Sequence, residues 1–297
     1  MSSELISFTL SYAGASADNN QIDFYDVSQA LLGFQRSLAL TSHLILTGEI
    51  IIQAPSLQGA NIIVAPPEAG SWKTTATIIV GVGSAIFKLG TASPDTPIGN
   101  LVRSGYDYVI SETLGFHVDF NSTLGKQYDE LHGTDASVHK LSQSKFDSLI
   151  EKCEPAIKNM HRPIIASQTA TEATVTSPNR GKVCQIGPIL NAETYDYISY
   201  TRRDDFPTDV RGMVSSYNMN TFKGRIFAVE EQRPIPFELL ESARIMPVIE
   251  LITNSLAINA QGSYLPGAEI RMSAFCNYSR SGRLKSLSVV EVSAIAE

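Results

Sequence analysis

The uncharged run from Thr74 to Phe87 constrains the fold of this chain most. As a helix, its fourteen residues would rise only about 21 Å, which is shorter than the roughly 30 Å hydrocarbon core of a bilayer. The run follows the only Trp of the chain, Trp72. We therefore expect it to be buried in the N-terminal core, as a strand to about Val80 and a short helix from about residue 83 to residue 89.

A second interpretation of the same stretch, residues 74–89, is a segment that meets lipid. A Trp and a Lys precede it and another Lys lies near its end, as interfacial residues do at a membrane surface. Two glycines inside it would allow helices to pack closely in lipid. The candidate residues for this packing or membrane role are Trp72, Lys73, Gly81, Gly83 and Lys88.

The chain of 297 residues is 43% hydrophobic and 18% charged, values typical of a globular protein, and its length favours two domains. Its first residues lack the basic start and apolar stretch of a secretory signal, which favours a cytoplasmic location. Cys153, Cys184 and Cys276 are widely spaced and odd in number. This favours buried thiols over a disulfide framework or a metal knuckle, and we expect neither a cofactor nor a metal.

The first part of the chain predicts an α+β domain. Apolar and polar residues alternate over Leu5–Tyr12, typical of a strand, whereas residues 25–46 repeat apolar side chains at helical spacing. Three β-branched stretches between Glu49 and Val80 predict an antiparallel meander, and further helices are expected after Pro97 and over residues 144–160. The Thr- and Ser-rich stretch 166–182 resembles a linker, so we place the domains at residues 1–176 and 177–297.

Short strands separated by turn residues dominate residues 177–297, a pattern that predicts a small β-barrel-like domain. One helix is expected within it, between Leu239 and Ala260, where apolar residues keep a helical rhythm. The predicted fold class is therefore α+β, with an N-terminal antiparallel sheet and helices followed by this small barrel.

Charge favours the second part as the place for an anion-binding surface. Residues 1–176 carry 10 Lys and Arg against 17 Asp and Glu, and residues 177–297 carry 13 against 13. Ten of the latter basic residues are Arg, which binds phosphates and carboxylates bidentately. The candidates for anion or nucleic-acid binding, with nearby tyrosines for stacking, are Arg202, Arg203, Arg225, Arg280, Arg283 and Lys285. Balanced charge leaves open that these residues only form ion pairs.

The sequence GRIFAVEEQRPIPFEL, followed by a helix and then SRSGRLKSLSVVEV, resembles the small β-barrel that closes a family of uncharacterised bacterial two-domain proteins. Their N-terminal half is similar too, with a helix like QALLGFQRSLALTSHLIL and a GSW or GSF turn before an apolar segment. The resemblance implies a protein of unknown function and suggests an association with mobile elements or phage defence.

The motifs of several enzyme classes are missing: no nucleophile elbow, phosphate-binding loop, dinucleotide fingerprint or zincin motif occurs. We therefore predict a non-enzymatic protein-interaction or assembly component of a bacterial cytoplasmic system, with a link to phage defence. The long apolar run and the edges expected of the barrel favour a homo-oligomer or a larger protein complex. The alternatives are a nucleic-acid or nucleotide-binding module and a membrane-associated effector.

Overall fold

The computed structural model describes residues 5–50, 60–64, 72–80, 97–116, 118, 120, 124–128, 141–231, 233–261, 267–278 and 284–295. In chain order the strands and helices are β1 (Leu5–Ala13), α1 (Phe24–Thr47), β2 (Ala60–Val64), β3 (Trp72–Val80), α2 (Pro97–Thr113), α3 (Gln143–Met160), α4 (Arg162–Ile165), β4 (Glu172–Asn179), β5 (Lys182–Leu190), α5 (Ala192–Ser199), β6 (Arg202–Arg203), β7 (Thr208–Asn218), β8 (Lys223–Ala228), β9 (Arg233–Leu239), α6 (Met246–Gln261), β10 (Glu269–Tyr278) and β11 (Leu284–Ala294).

An antiparallel sheet in the order β2-β3-β1-β4-β5 forms the centre of the N-terminal part. Period-two alternation along β1 buries Ile6, Phe8, Leu10 and Tyr12 on the face that joins the hydrophobic core. The opposite face of the sheet carries hydroxyls that pair across strands, such as Thr9 with Thr75 (2.9 Å). One face is thus apolar and the other polar, as expected for an antiparallel sheet.

The described half of the uncharged run is the strand β3, in agreement with the core interpretation of this stretch. Thr74, Ala76 and Ile78 are buried, and Trp72 meets the ring of Tyr12 edge-on with the centroids 5.5 Å apart. Residues 81–96, which include Gly81, Gly83 and Lys88, lie outside the described residues. The short helix predicted over residues 83–89 lies there as well.

Helices α1 and α3 pack closely in the same core. The carboxylate of Asp23 caps α1 by accepting the N–H of Asp26 (2.9 Å), and Gly48 ends the helix in a left-handed conformation. Gly33 has no Cβ at the crossing with α3, and a Cβ there would lie 2.2 Å from the carbonyl oxygen of Ala156. The close approach of the two helices therefore requires glycine at this position.

Five strands of the C-terminal part close into a barrel, in the order β11-β9-β8-β7-β10 and back to β11. All pairs are antiparallel except β9 with β11, which is parallel. The helix α6 covers a bulge in β7: Ser255 Oγ accepts the N–H of Val214 (3.0 Å) and Asn259 donates to the carbonyl of Val214 (3.0 Å). This arrangement confirms the predicted barrel with one helix.

The two compact units of the chain are residues 1–198 and 199–297, so the division lies later than the predicted boundary at 176 and 177. The predicted boundary falls inside β4, where Thr176 pairs with Thr9 of β1 on one side and with Gln185 of β5 on the other. The stretch that resembles a linker is a strand because its threonines occupy the polar face of the sheet while Ala173 and Val175 enter the core.

Candidate functional site

The N-terminal half of α1 exposes three large apolar side chains. Phe24 is 84% exposed, Tyr25 63% and Leu32 60%. Tyr25 and Leu32 are seven residues apart, two helical turns, and therefore lie on the same side of the helix. The exposed Arg36 lies one turn further along this side. We call this set, Phe24, Tyr25, Leu32 and Arg36, the α1 face.

A charged pair fixes one end of the α1 face. The guanidinium of Arg162, at the start of α4, donates to the buried carboxylate of Asp26 through both Nε and Nη2 (2.9 Å each). The same guanidinium lies over the ring of Tyr25, 5.2 Å from its centroid. Because Asp26 belongs to α1 and Arg162 to α4, these contacts hold Tyr25 in one orientation against a rigid background.

In the C-terminal unit, the structure brings together three of the predicted cationic residues at one rim of the barrel. β6 pairs with the end of β10, where Arg203 is opposite Asn277 and Arg202 is opposite Tyr278. Lys285, at the start of β11, donates to the carbonyl oxygen of Tyr200 (3.0 Å) and to Thr201 Oγ1 (2.9 Å). We call Arg202, Arg203 and Lys285 the arginine cluster.

Aromatic rings and an acidic residue already contact the arginine cluster. The guanidinium of Arg203 lies 3.9 Å from the ring centroid of Phe275, and that of Arg202 lies 5.9 Å from the ring centroid of Tyr278. Arg202 also approaches the carboxylate of Asp204, with an N–O distance of 3.9 Å. Because Arg202 and Arg203 are consecutive on a strand, their side chains point to opposite faces of it. Arg202 and Arg203 can therefore each stack on an aromatic ring and bind an anion, but they do so on opposite sides of β6.

The other predicted cationic residues do not extend this cluster within the described residues. Arg225 lies in β8 and is only 4% exposed, so burial removes it from any exposed binding surface. Arg280 and Arg283 lie in residues 279–283, outside the described residues. Of the proposed packing or membrane residues, Trp72 is half-buried against Tyr12 and Lys73 is exposed beside it on β3.

His161 is a buried imidazole with a strongly lowered pKa, and both of its ring nitrogens are hydrogen-bonded. His161 follows α3, and its Nδ1 donates to the carbonyl of Ile157 (3.0 Å), which leaves Nε2 to accept from Thr194 Oγ1 (3.0 Å). Burial lowers the pKa of His161 from its usual 6.5 to about 4. The side chain of Thr194 also accepts the N–H of Asn191 (2.8 Å), next to the start of α5. These contacts connect α3 to α5, and we assign His161 a structural role.

The cysteines fit the expectation from sequence only in part. All three cysteines are free; Cys153 and Cys276 are buried, as predicted, whereas Cys184 is partly exposed. Over the part of the chain that the structure describes, no three His, Cys, Asp or Glu side chains are grouped to hold a metal ion. No helix among the described residues has the length and apolar character needed to cross a membrane.

Sequence reasoning missed the α1 face, although a signal for it exists. The buried side of α1 contains Val27, Ala30, Phe34 and Leu38, whose spacing places it away from Phe24 and Leu32. Apolar residues outside the buried stripe of an amphipathic helix indicate either a second packing surface or a docking surface. This distinction was available from the sequence of α1 before its structure.

Matches to known protein families cover most of the chain. A family described as "Domain of unknown function (DUF7946)" matches residues 8–199, and one described as "Family of unknown function (DUF7947)" matches residues 207–293. The two matches follow the two compact units. Searches of curated proteins and of solved structures found no match.

Proposed function

We propose that this chain, which belongs to the domain family of unknown function DUF7946, is a protein-interaction module whose docking surface is the α1 face. The observation that carries the proposal is the exposure of Phe24, Tyr25 and Leu32 on a single helix of a well-packed unit. Together these side chains expose about 400 Å² of largely apolar surface, taking ordinary side-chain areas. Exposed apolar surface of this size on a globular protein often marks an interaction site.

The chemistry of the α1 face supports a protein partner. Aromatic residues and arginine dominate the energetic centres of protein interfaces, and the α1 face combines Phe24 and Tyr25 with the adjacent guanidinium of Arg162. The contact between Arg162 and Tyr25 limits the rotamers of the ring before binding. Binding therefore costs less side-chain entropy than it would with a mobile ring.

Assembly through the barrel, as predicted from its edges, has less support. The five described strands close through the pairing of β10 with β11, which leaves β6 as the additional strand at the rim. Closure removes the strand edges that would recruit another chain. The bacterial, cytoplasmic and phage-defence setting of the assembly remains a prediction from sequence.

Site-specific photocrosslinking in cells that produce the protein tests the docking role. A benzophenone amino acid replaces Leu32, and the matched control carries it at Val183, which is 76% exposed on β5. We expect discrete adducts of higher mass, including self-adducts, from position 32 and none of the same mass from position 183. Identical patterns from both positions, or no adduct at position 32, would contradict the proposal.

A second candidate function, binding of a single nucleic-acid strand, is favoured by the stacking of Arg203 on Phe275. An exposed guanidinium that already lies on a ring can present its other face to a base and its N–H groups to a phosphate. Fluorescence anisotropy of labelled single-stranded DNA at low salt tests this function. We expect binding that weakens in Arg202→Ala and Arg203→Ala; no change in anisotropy with the wild-type protein would end this candidate.

A further inference from the structure

We propose that the C-terminal unit binds a short single-stranded nucleic acid, without base preference, at the rim where β10 ends and β11 begins. This role rests on the second candidate function and deepens it, since it names the fold of the barrel, the class of strand and the tyrosines on which bases stack. Two independent observations support it: the order of the barrel strands and the side chains that meet at this rim.

The order of the strands around the barrel identifies its fold. Among the described strands the sequence around the barrel is β7-β8-β9-β11-β10, and β10 returns to β7. The third strand and the fifth, β9 and β11, are parallel, and α6 lies between the third strand and the fourth. This is the order of the oligonucleotide- and oligosaccharide-binding fold, a five-stranded Greek-key barrel. Such barrels bind their ligands in part where the fourth strand connects to the fifth, which here is the rim between β10 and β11.

Strand order alone does not give a function, so the side chains at this rim decide the ligand. Tyr278 ends β10, and Arg202 is directly opposite it in β6. Opposite residues of paired strands share a face, and the guanidinium of Arg202 lies 5.9 Å from the centroid of the Tyr278 ring. Lys285, at the start of β11, donates to the carbonyl oxygen of Tyr200 (3.0 Å). We call Tyr200, Arg202, Tyr278 and Lys285 the rim site.

The two tyrosines of the rim site provide surfaces for base stacking. Tyr200 is 41% exposed, and Tyr278 is partly exposed with Arg202 over its ring. Every base has a flat aromatic face, so stacking on tyrosine tolerates any sequence. Stacking also requires bases that are free of a complementary strand. The rings therefore favour a single strand over a duplex.

The two cations of the rim site favour phosphates over an uncharged oligosaccharide. The side chain of Arg202 is 65% exposed, and its guanidinium lies 3.9 Å from the carboxylate of Asp204, which is longer than a hydrogen bond. An exposed pair at this distance contributes little, so a phosphate can replace the carboxylate. Lys285 also donates to Thr201 Oγ1 (2.9 Å), so its charge lies beside the same short stretch of chain.

Carboxylates around the rim site keep the electrostatic part of binding small. Asp204 and the exposed Asp205 follow the arginines directly, and Glu231, whose charge also acts on Tyr278, is paired with Arg233 (3.3 Å). We therefore expect only about two phosphate contacts. For a single strand this gives a slope of about −1.4 for the logarithm of the binding constant against the logarithm of salt concentration.

Fluorescence anisotropy of the purified full chain with labelled oligothymidine and oligouridine of about 12 nucleotides tests the rim site. We expect both strands to bind with similar affinity and a DNA duplex of the same length to bind at least about tenfold more weakly. Tyr200→Ala and Tyr278→Ala should each raise the dissociation constant about tenfold, because each removes one stacked base. Tyr278→Phe retains the ring and should leave the constant unchanged.

A matched pair of charge variants tests the position of the phosphates. Arg202→Gln should bring the salt slope about 0.7 closer to zero. Arg271→Gln removes the same charge from a side chain of β10 that is 47% exposed and lies near the other end of the strand, and it should leave the slope unchanged. Tyr278 packs against the barrel core, so Tyr200→Ala, at a more exposed position, keeps the stacking test independent of folding.

The outcomes separate the rim site from the candidate function on which it rests. If binding by the wild type survives both tyrosine-to-alanine changes but is lost in Arg203→Ala, the strand lies on the Phe275 side of β6; nucleic-acid binding then stands and the rim site is wrong. Equal salt slopes for Arg202→Gln and Arg271→Gln, or tighter binding of the duplex, would also overturn the rim site. No binding of either single strand at low salt would remove both.

Discussion

Acidification should destabilise the N-terminal unit through His161. Its pKa is lowered from 6.5 to about 4 by burial, so between these values the unfolded chain binds the proton and the folded chain does not. Stability is therefore fully present above about pH 7 and is lost as pH falls through this window. Integration of the linkage relation gives a loss of about 2 kcal/mol by about pH 5, and about 3 kcal/mol once both states are protonated.

The single tryptophan makes this measurement specific for the unit that contains His161. Trp72 contacts the ring of Tyr12, whose hydroxyl donates to the carbonyl oxygen of Met160 (2.6 Å), the residue before His161. Urea unfolding followed by tryptophan fluorescence therefore reports the loss of packing in this region. The free energy of unfolding should be measured at several pH values from neutral to about pH 5.

The variant His161→Gln separates this contribution from those of other titrating groups. Burial also lowers the pKa of His43, so His43 adds a loss of the same sign, whereas burial raises the pKa of Asp107 and gives a term of opposite sign. These terms cancel in the difference between wild type and variant. We expect that difference to shrink by about 2 kcal/mol between neutral pH and about pH 5. Parallel pH profiles of the two proteins would refute the assignment of His161 as a buried neutral imidazole.

Three substitutions test the packing inside each of the two units. Gly33→Ala should cost about 1–3 kcal/mol in urea unfolding, because its Cβ would meet the carbonyl oxygen of Ala156; a neutral effect would contradict the close crossing. Ile78→Asp should cost about 4 kcal/mol or more, because it buries an unpaired charge in β3, whereas Thr77→Asp on the polar face of the strand should cost far less in the same assay. Ser255→Ala should cost about 1–3 kcal/mol and speed hydrogen exchange of the Val214 amide, which loses its acceptor; unchanged exchange would exclude that role.

The fold class could be predicted because local pattern and tertiary burial agree in most strands and helices. Alternation along β1 corresponds to its buried face, and the apolar stripe of α1 corresponds to its contact with the core. The domain boundary could not be predicted from composition, since Thr and Ser are common both in linkers and on the polar face of a sheet. Only the pairing of Thr176 with Thr9 of β1 distinguishes the two cases.

For the candidate sites, too, composition indicates some features and only the structure reveals others. The Arg-rich composition drew attention to residues 202, 203 and 285, which lie near one another at one rim of the barrel. Composition could not reveal that Arg225 is buried or that Arg203 lies on Phe275, because both depend on which face of a strand enters the barrel. A shift of register by one residue would exchange those faces, and amino-acid composition contains no information about strand register.

The two halves of α1 provide the strongest test of the docking role, because the same side of one helix is exposed in the first half and buried in the second. Leu32 is 60% exposed, whereas Ala39, seven residues later on the same side, is buried. Leu32→Glu should therefore change the unfolding free energy by less than about 0.5 kcal/mol while it disrupts assembly. Ala39→Glu should cost several kcal/mol, since it forces a charge into a packed core. Thermal melts followed by Trp72 fluorescence compare the two variants directly. If Leu32→Glu lowers the melting temperature as much as Ala39→Glu does, the exposed side chains stabilise the fold of this unit and the α1 face is not a docking surface.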